Sequence, residues 1–183
     1  MLAISAACEW LLSAASHRRI TWSPSVTLVP SRGCFNACDY CSFRLPLAQA
    51  TRLGFEQARA QLNAQASAAE VLLLSGEVAP HSPERRAWFR HLLQLSCLAL
   101  TEQRLPHTNA GPLSLAEMVA LGRLNPSMGL MFEGLGPAYE ALHRHAPSKA
   151  LEVRVGQLQQ AGRLGIPFTT GLLLGVGESW DDR

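Results

Sequence analysis

Five short apolar runs recur along the chain, each followed by a stretch of helical pattern, and that alternation restricts the architecture more than any other feature. Residues 26–29, 71–74, 105–109, 128–132 and 168–174 read as strands. The run at 71–74 is continuously apolar and stops at Ser75-Gly76-Glu77, as a strand buried on both faces stops at its loop. Helices are predicted over 55–66, from Ser82 past Leu95, from Ser114 through Leu124, over 137–143 and over 151–164. Pro83 suits the start of the second, Ser114 with Glu117 has the spacing of a capping box, and Gly165 with Pro167 closes the last. Strands separated by helices pair in parallel through right-handed crossovers. The expected fold class is therefore α/β, with parallel strands and about five βα units.

A chain of 183 residues is long enough for one domain with a real core. Its formal net charge of +2 and the lack of any basic run give no reason to expect a nucleic-acid partner. No stretch approaches the roughly 18 unbroken apolar residues of a membrane span, so no membrane association is expected. The first fifteen residues are apolar but lack a basic leading segment, and Glu9 interrupts them. Residues 1–20 are expected to be an N-terminal extension or helix, with the core at 21–183. The chain stops at Gly177-Glu178-Ser179-Trp180-Asp181-Asp182-Arg183, a pattern that enters another helix. The expectation is a portion of a longer polypeptide.

Five cysteines, Cys8, Cys34, Cys38, Cys41 and Cys97, are odd in number and three are bunched. That is no disulfide framework and points to a metal or redox site in a reducing compartment, hence a cytoplasmic protein. Cys34-Phe-Asn-Ala-Cys38-Asp-Tyr-Cys41 offers three soft thiolates on one compact loop, suited to an iron–sulfur cluster or to zinc. Three ligands leave one iron of a 4Fe–4S cube without a protein donor, the open position that metal catalysis requires. A zinc site would need a fourth ligand from Cys8, Cys97 or a histidine. Cys38 and Cys41 alone also have the spacing of a redox thiol pair.

The C-x3-C-x2-C loop, with Tyr40 before its last cysteine, resembles the signature of the radical S-adenosylmethionine (SAM) superfamily. The resemblance implies a partial βα barrel, here the first part of a (βα)6 barrel, in which Cys34, Cys38 and Cys41 bind a 4Fe–4S cluster and SAM chelates the open iron. Ser75, Gly76 and Glu77 resemble the motif that meets the SAM ammonium. Glu133 stands where relatives receive the ribose hydroxyls, and Arg154 where they face the SAM carboxylate. Gly171, Gly175 and Glu178 resemble a GxIxGxxE pattern against the adenine. Tyr40 joins this cofactor set, although with Phe43 it reads first as apolar packing around the cluster.

Finer segments narrow the likeness. Residues 30–41, LPHTNAGPLS from Leu105, SMGLMFEGLGP from Ser127, HAPSK from His145 and GRLGIPFTTGLLLGVGE from Gly162 are similar to the CofG family of deazaflavin-forming (FO) synthases. That family implies a lyase acting on an adduct of a tyrosine-derived hydroxybenzyl group with a ribityl-diaminouracil. A companion enzyme, CofH, makes the adduct, and a ferredoxin or flavodoxin supplies electrons. Hydrogen abstraction, ring closure and loss of ammonia then give FO. His107, Thr108, Asn109 and Thr169, at the barrel mouth, are candidate catalytic or substrate residues. A CofH-like, biotin-synthase-like or HydE-like enzyme, or an inactive metal-binding fragment, are the alternatives.

Overall fold

The computed structural model describes residues 22–182, so the expected helix or extension at 1–20 lies outside the described residues. The elements run β1 (Ser25–Leu28), α1 (Phe55–Ala64), β2 (Glu70–Leu74), α2 (Arg85–Thr101), β3 (Leu105–Asn109), α3 (Leu115–Gly122), β4 (Ser127–Gly129), α4 (Pro137–Leu142), α5 (Leu151–Arg163) and β5 (Phe168–Thr169). The five strands form one sheet in the order β1-β2-β3-β4-β5, every pair parallel. Neighbours in sequence are neighbours in space, so the sheet winds in one direction. Right-handed crossovers then place the helices on a single face, and the sheet curls into a partial βα barrel.

Strand alternation sorts the side chains between the two faces. Val26 and Leu28 of β1 and Val71 and Leu73 of β2 pack against Leu62 of α1 and Leu95 of α2 in one buried cluster. Met128 of β4 joins Met118 and Leu121 of α3, Leu92 of α2 and Ala161 of α5 in a second. Each large apolar side chain buried there contributes roughly 1.5–3 kcal/mol relative to exposure. Among the described residues no helix is long and apolar enough to cross a membrane.

The capping box at α3 is present, with Ser114 accepting from the Glu117 amide and the Glu117 carboxylate accepting from the Ser114 amide. Several boundaries differ from the sequence reading. Helix α2 starts at Arg85 rather than at Pro83, because residues 82–85 close a turn in which the Arg85 amide bonds the Ser82 carbonyl. Strands β4 and β5 are shorter than the apolar runs that announce them. Beyond Gly129 the pairing continues only as separate bonds, Leu130 to Thr169, Glu133 to Gly171 and Leu173 to Glu133. Glu133 has a φ of 78°, which no regular strand residue adopts.

Candidate active site

The cysteine loop follows β1 and is tied down by its own backbone. The Phe35 amide donates to the Glu77 carbonyl (2.9 Å), Ala37 to His145 (2.7 Å) and Asp39 to Leu142 (3.1 Å). The loop is thereby fixed to the end of β2 on one side and to the segment around α4 on the other. Gly76 lets it come so close. Its amide bonds the Ser31 carbonyl (2.8 Å), and a Cβ there would run into the Gly33 backbone. Cys34, Cys38 and Cys41 all line one cavity of about 260 Å³ at the C-terminal ends of the strands. That is the face on which βα barrels carry their chemistry.

Burial pushes the Cys34 and Cys38 thiols up, outweighing backbone hydrogen bonds near Cys34 and the Lys149 charge near Cys38. A metal that binds them must displace their protons. Among the described residues, no group of three or more His, Cys, Asp or Glu side chains is gathered closely enough to hold a single metal ion.

Two buried carboxylates face the same cavity. Glu77, at the end of β2, is the first hub. Its Oε1 accepts from Arg154 (3.1 Å), and its Oε2 accepts from Asn36 Nδ2 (3.0 Å) and from the Ser148 hydroxyl. Gly111, with a φ of 84°, lies against this carboxylate where a side chain would overlap it. Glu133 is the second hub. Tyr40 Oη donates to its Oε2 (2.8 Å), His143 Nε2 lies 2.6 Å from Oε2, and Lys149 pairs with Oε1. Burial would raise the Glu133 carboxyl, but the charge and hydrogen bond of Lys149, the Tyr40 hydroxyl and His143 hold it below the ordinary range. Burial pushes His143 down against the pull of Glu133, and it pushes the Tyr40 hydroxyl up, helped by the Glu133 charge.

The cavity therefore brings together Cys34, Cys38, Cys41, Tyr40, Ser75, Gly76, Glu77, Asn109, Glu133 and Arg154 from segments far apart in sequence. Ser75 contributes backbone, since its hydroxyl donates to the Gly76 carbonyl and accepts from Trp88 Nε1 (3.1 Å). Other expected residues stand elsewhere. Thr108 points into the helical layer, 2% exposed, and its hydroxyl donates to Asn125 Oδ1 (2.8 Å). It sits on the wrong face of β3 to meet a ligand at the mouth. Glu178 accepts from the amides of Gly175 (2.9 Å) and Val176 (2.7 Å), closing its own loop, and Gly171 offers its carbonyl to the Glu133 amide. None of these three lines the cavity. His107 and Thr169 lie below it, on the inner face of the sheet.

The sequence reading did not single out Asn36, His143, Ser148, Lys149 or Arg44. Ser148 and Lys149 fall within the HAPSK segment, the one signal available for them. Arg44 and Arg154 each line the cavity with a buried Nε that has no hydrogen-bond partner. A larger groove, about 620 Å³, lies beyond Lys149 and Arg154, between α4 and α5, and holds none of the cysteines.

No family model matches the chain. In sequence it is 54% identical over 169 residues to the 7,8-didemethyl-8-hydroxy-5-deazariboflavin synthase of Thermosynechococcus vestitus, covering 90% of this chain and 53% of that protein. Against the synthase of the same name from a Nostoc species it is 53% identical, covering 88% and 49%. Against that of a Synechocystis species it is 48% identical, covering 87% and 52%. The chain spans about half the length of the curated relatives it matches. Its fold is similar to that of methylornithine synthase (PylB), with a TM-score of 0.70 at 18% identity, covering 87% of this chain and 47% of that one.

Proposed function

We propose, from the kinship of this chain with the 7,8-didemethyl-8-hydroxy-5-deazariboflavin synthases, that it forms the cluster- and SAM-binding part of such an enzyme. The reaction is conversion of the hydroxybenzyl–ribityldiaminouracil adduct to FO by hydrogen abstraction, ring closure and loss of ammonia. The single observation that carries this reading is the cavity that unites three thiols with two hydrogen-bonded carboxylates and a buried guanidinium.

The donor set fits the groups the family implies. Three soft thiols on one anchored loop, all lining one cavity, suit an iron–sulfur cube. Cys34, Cys38 and Cys41 would hold a 4Fe–4S cluster, and Glu77, Glu133, Tyr40 and Arg154 would bind SAM. When bound and reduced, that pair supplies a 5'-deoxyadenosyl radical.

The chain's own residues bind, orient and shield. Glu77 presents a carboxylate to a cationic amine, and Arg154 beside it answers a carboxylate with its free Nε. Glu133 accepts from Tyr40 on Oε2 and from Lys149 on Oε1, while His143 Nε2 stands 2.6 Å from Oε2, which leaves room for a further donor on Oε1. One ribose hydroxyl fits there as it stands, and a second displaces Tyr40, which is 38% exposed. Phe43, Leu74 and Met131 supply apolar walls that keep stray hydrogen donors away from a carbon radical. The electron donor is a small acidic redox protein, ferredoxin or flavodoxin, and CofH supplies the adduct.

Anaerobic reconstitution with iron and sulfide tests the reading. The expected result is about four irons per chain, lost in each of Cys34→Ala, Cys38→Ala and Cys41→Ala and kept in Cys97→Ser. It extends to 5'-deoxyadenosine on adding reductant, SAM and adduct, with little fluorescent product from this portion of the enzyme. One tightly bound zinc in place of iron, or cluster retention in any of the three alanine variants, would overturn it.

A further inference from the structure

The inner face of the sheet has a different chemistry from the outer one. The outer face is Val26, Leu28, Val71, Leu73 and Met128, all buried against helices. The inner face is mixed: it carries Leu72, Leu74 and Leu105 but also Thr27, Glu70, His107, Asn109, Ser127 and Thr169. A closed barrel whose lumen is only core fills that face with Val, Ile and Leu. Those of its polar side chains that are shielded from water need partners.

Side-chain contacts collect three of them, although Thr169 pairs in register two residues further along than Ser127. His107 pairs with Ser127 across β3 and β4, and Gly129 pairs with Thr169 across β4 and β5. His107 Nδ1 lies 2.7 Å from Ser127 Oγ, and Nε2 lies 3.3 Å from Thr169 Oγ1. The Thr169 hydroxyl is also 3.5 Å from the Met128 carbonyl. Giving its proton there makes Nε2–H the donor to Thr169 and Nδ1 the acceptor from Ser127. Gly129 makes room for this arrangement, because a Cβ on it would sit 2.6 Å from Thr169 Oγ1 and 2.9 Å from His107 Nε2. Burial holds the imidazole below its ordinary value, with Glu70 on β2 pulling weakly the other way, so the ring is neutral near pH 7. Asn109, two residues further along β3 and about 6.6 Å nearer the cysteines, already lines the cavity. The His107 layer is the next one down.

We propose that His107, Ser127 and Thr169 form the subsite for a neutral polyhydroxylated arm of the substrate, which under the function proposed above, on which this rests, is the ribityl chain. Two hydroxyls and a neutral imidazole each give and accept hydrogen bonds, and so do the hydroxyls of a polyol. The five strands turn no aromatic side chain to the inner face on which a flat ring would stack. Apolar Leu74 and Met131 lie one layer higher, at cavity level, and suit the ring system.

The test compares the adduct with an analogue bearing methyl in place of ribityl. Affinity of the reconstituted, SAM-loaded enzyme for each is measured by calorimetry, in wild type, Thr169→Val and His107→Leu, with His107→Gln as the conservative rescue. Thr169 is exposed, so its variant keeps the fold even where a change at His107 does not. The expected result is that the preference for the ribityl adduct falls about 3- to 10-fold in Thr169→Val, the worth of one neutral hydrogen bond. Equal losses for both adducts, or an unchanged preference, overturn the subsite. Release of 5'-deoxyadenosine is followed in parallel. A wild type that releases none with either adduct refutes the proposed function, while the affinity comparison still decides whether the subsite reads a polyol.

Discussion

Replacing Arg154 with methionine should unfold the protein at a markedly lower denaturant concentration. Arg154 is 2% exposed and its partner Glu77 12%, with 3.1 Å between Nη2 and Oε1. Removing one member of a buried ion pair leaves the other charge without compensation and costs about 3–5 kcal/mol. Two features set the value at the lower end. Glu77 keeps Asn36 and Ser148 as donors, and the Arg154 Nε is already without a partner, so its loss forfeits nothing. With about 3 kcal/mol lost and a urea dependence of about 2 kcal/mol per M, the midpoint falls by about 1.5 M. Trp88 reports the change directly, since it is buried and its indole donates to Ser75 beside Glu77. The decisive measurement is the double-mutant cycle with Glu77→Gln in metal-free protein. The pair of substitutions together should cost about 1–2 kcal/mol less than the sum of the two single ones, because the double variant buries no lone charge. Strict additivity would refute the claim that these side chains pair in the folded protein.

Gly76→Ala should strip the cavity of iron. The added Cβ meets the Gly33 carbonyl carbon at 2.7 Å and the Arg32 carbonyl carbon at 3.1 Å, both backbone atoms that cannot swing aside. Iron retained after reconstitution and desalting should drop, whereas Gly156→Ala, with open space around its Cβ, keeps wild-type iron; equal retention in both would count against the close approach of the loop. Glu117→Gln should show a pH-dependent defect. Burial alone would raise this carboxyl, yet Arg85 and the Ser114 amide hold it below the ordinary range. Its contribution is therefore complete above the unfolded value of about 4.3 and is lost as pH falls through the lower folded value. The variant should be about 1–2 kcal/mol less stable at pH 7, and urea melts at lower pH should show the gap closing. A gap that persists unchanged in acid would mean that the Arg85 pair, at 2.7 Å, stabilises nothing.

The parts of the fold that sequence declares are those governed by local chemistry. The capping box at Ser114 and Glu117 and the apolar run over 71–74 are decided by residues within one turn or one strand of each other. The shortening of β4 and β5 is not local. The Glu133 backbone is held in the left-handed region while its carboxylate is gripped by Tyr40, His143 and Lys149, three residues from two other segments. An apolar run of the right length predicts a strand there, and tertiary contacts override it.

The same division explains the site. Cys34, Cys38 and Cys41 are candidates because one loop supplies all three thiols, and Glu77 because it follows a strand within a motif that resembles the family's. Arg154 was placed by resemblance alone, since an arginine on an amphipathic helix reads as readily as a solvated charge. The residues that went unread are partners of those charges. Asn36 and Ser148 bond Glu77, and Lys149 and His143 face Glu133, across separations of 10 to 71 residues. A buried carboxylate must find donors somewhere, and sequence does not say which loop provides them. Thr108 shows the converse. It shares a strand end with Asn109, yet one step along a strand turns a side chain to the other face, and its hydroxyl goes to Asn125 in the helical layer. Candidate residues on such strands are therefore best named in alternation. On β3, His107 and Asn109 share the face that looks into the lumen, and Thr108 does not.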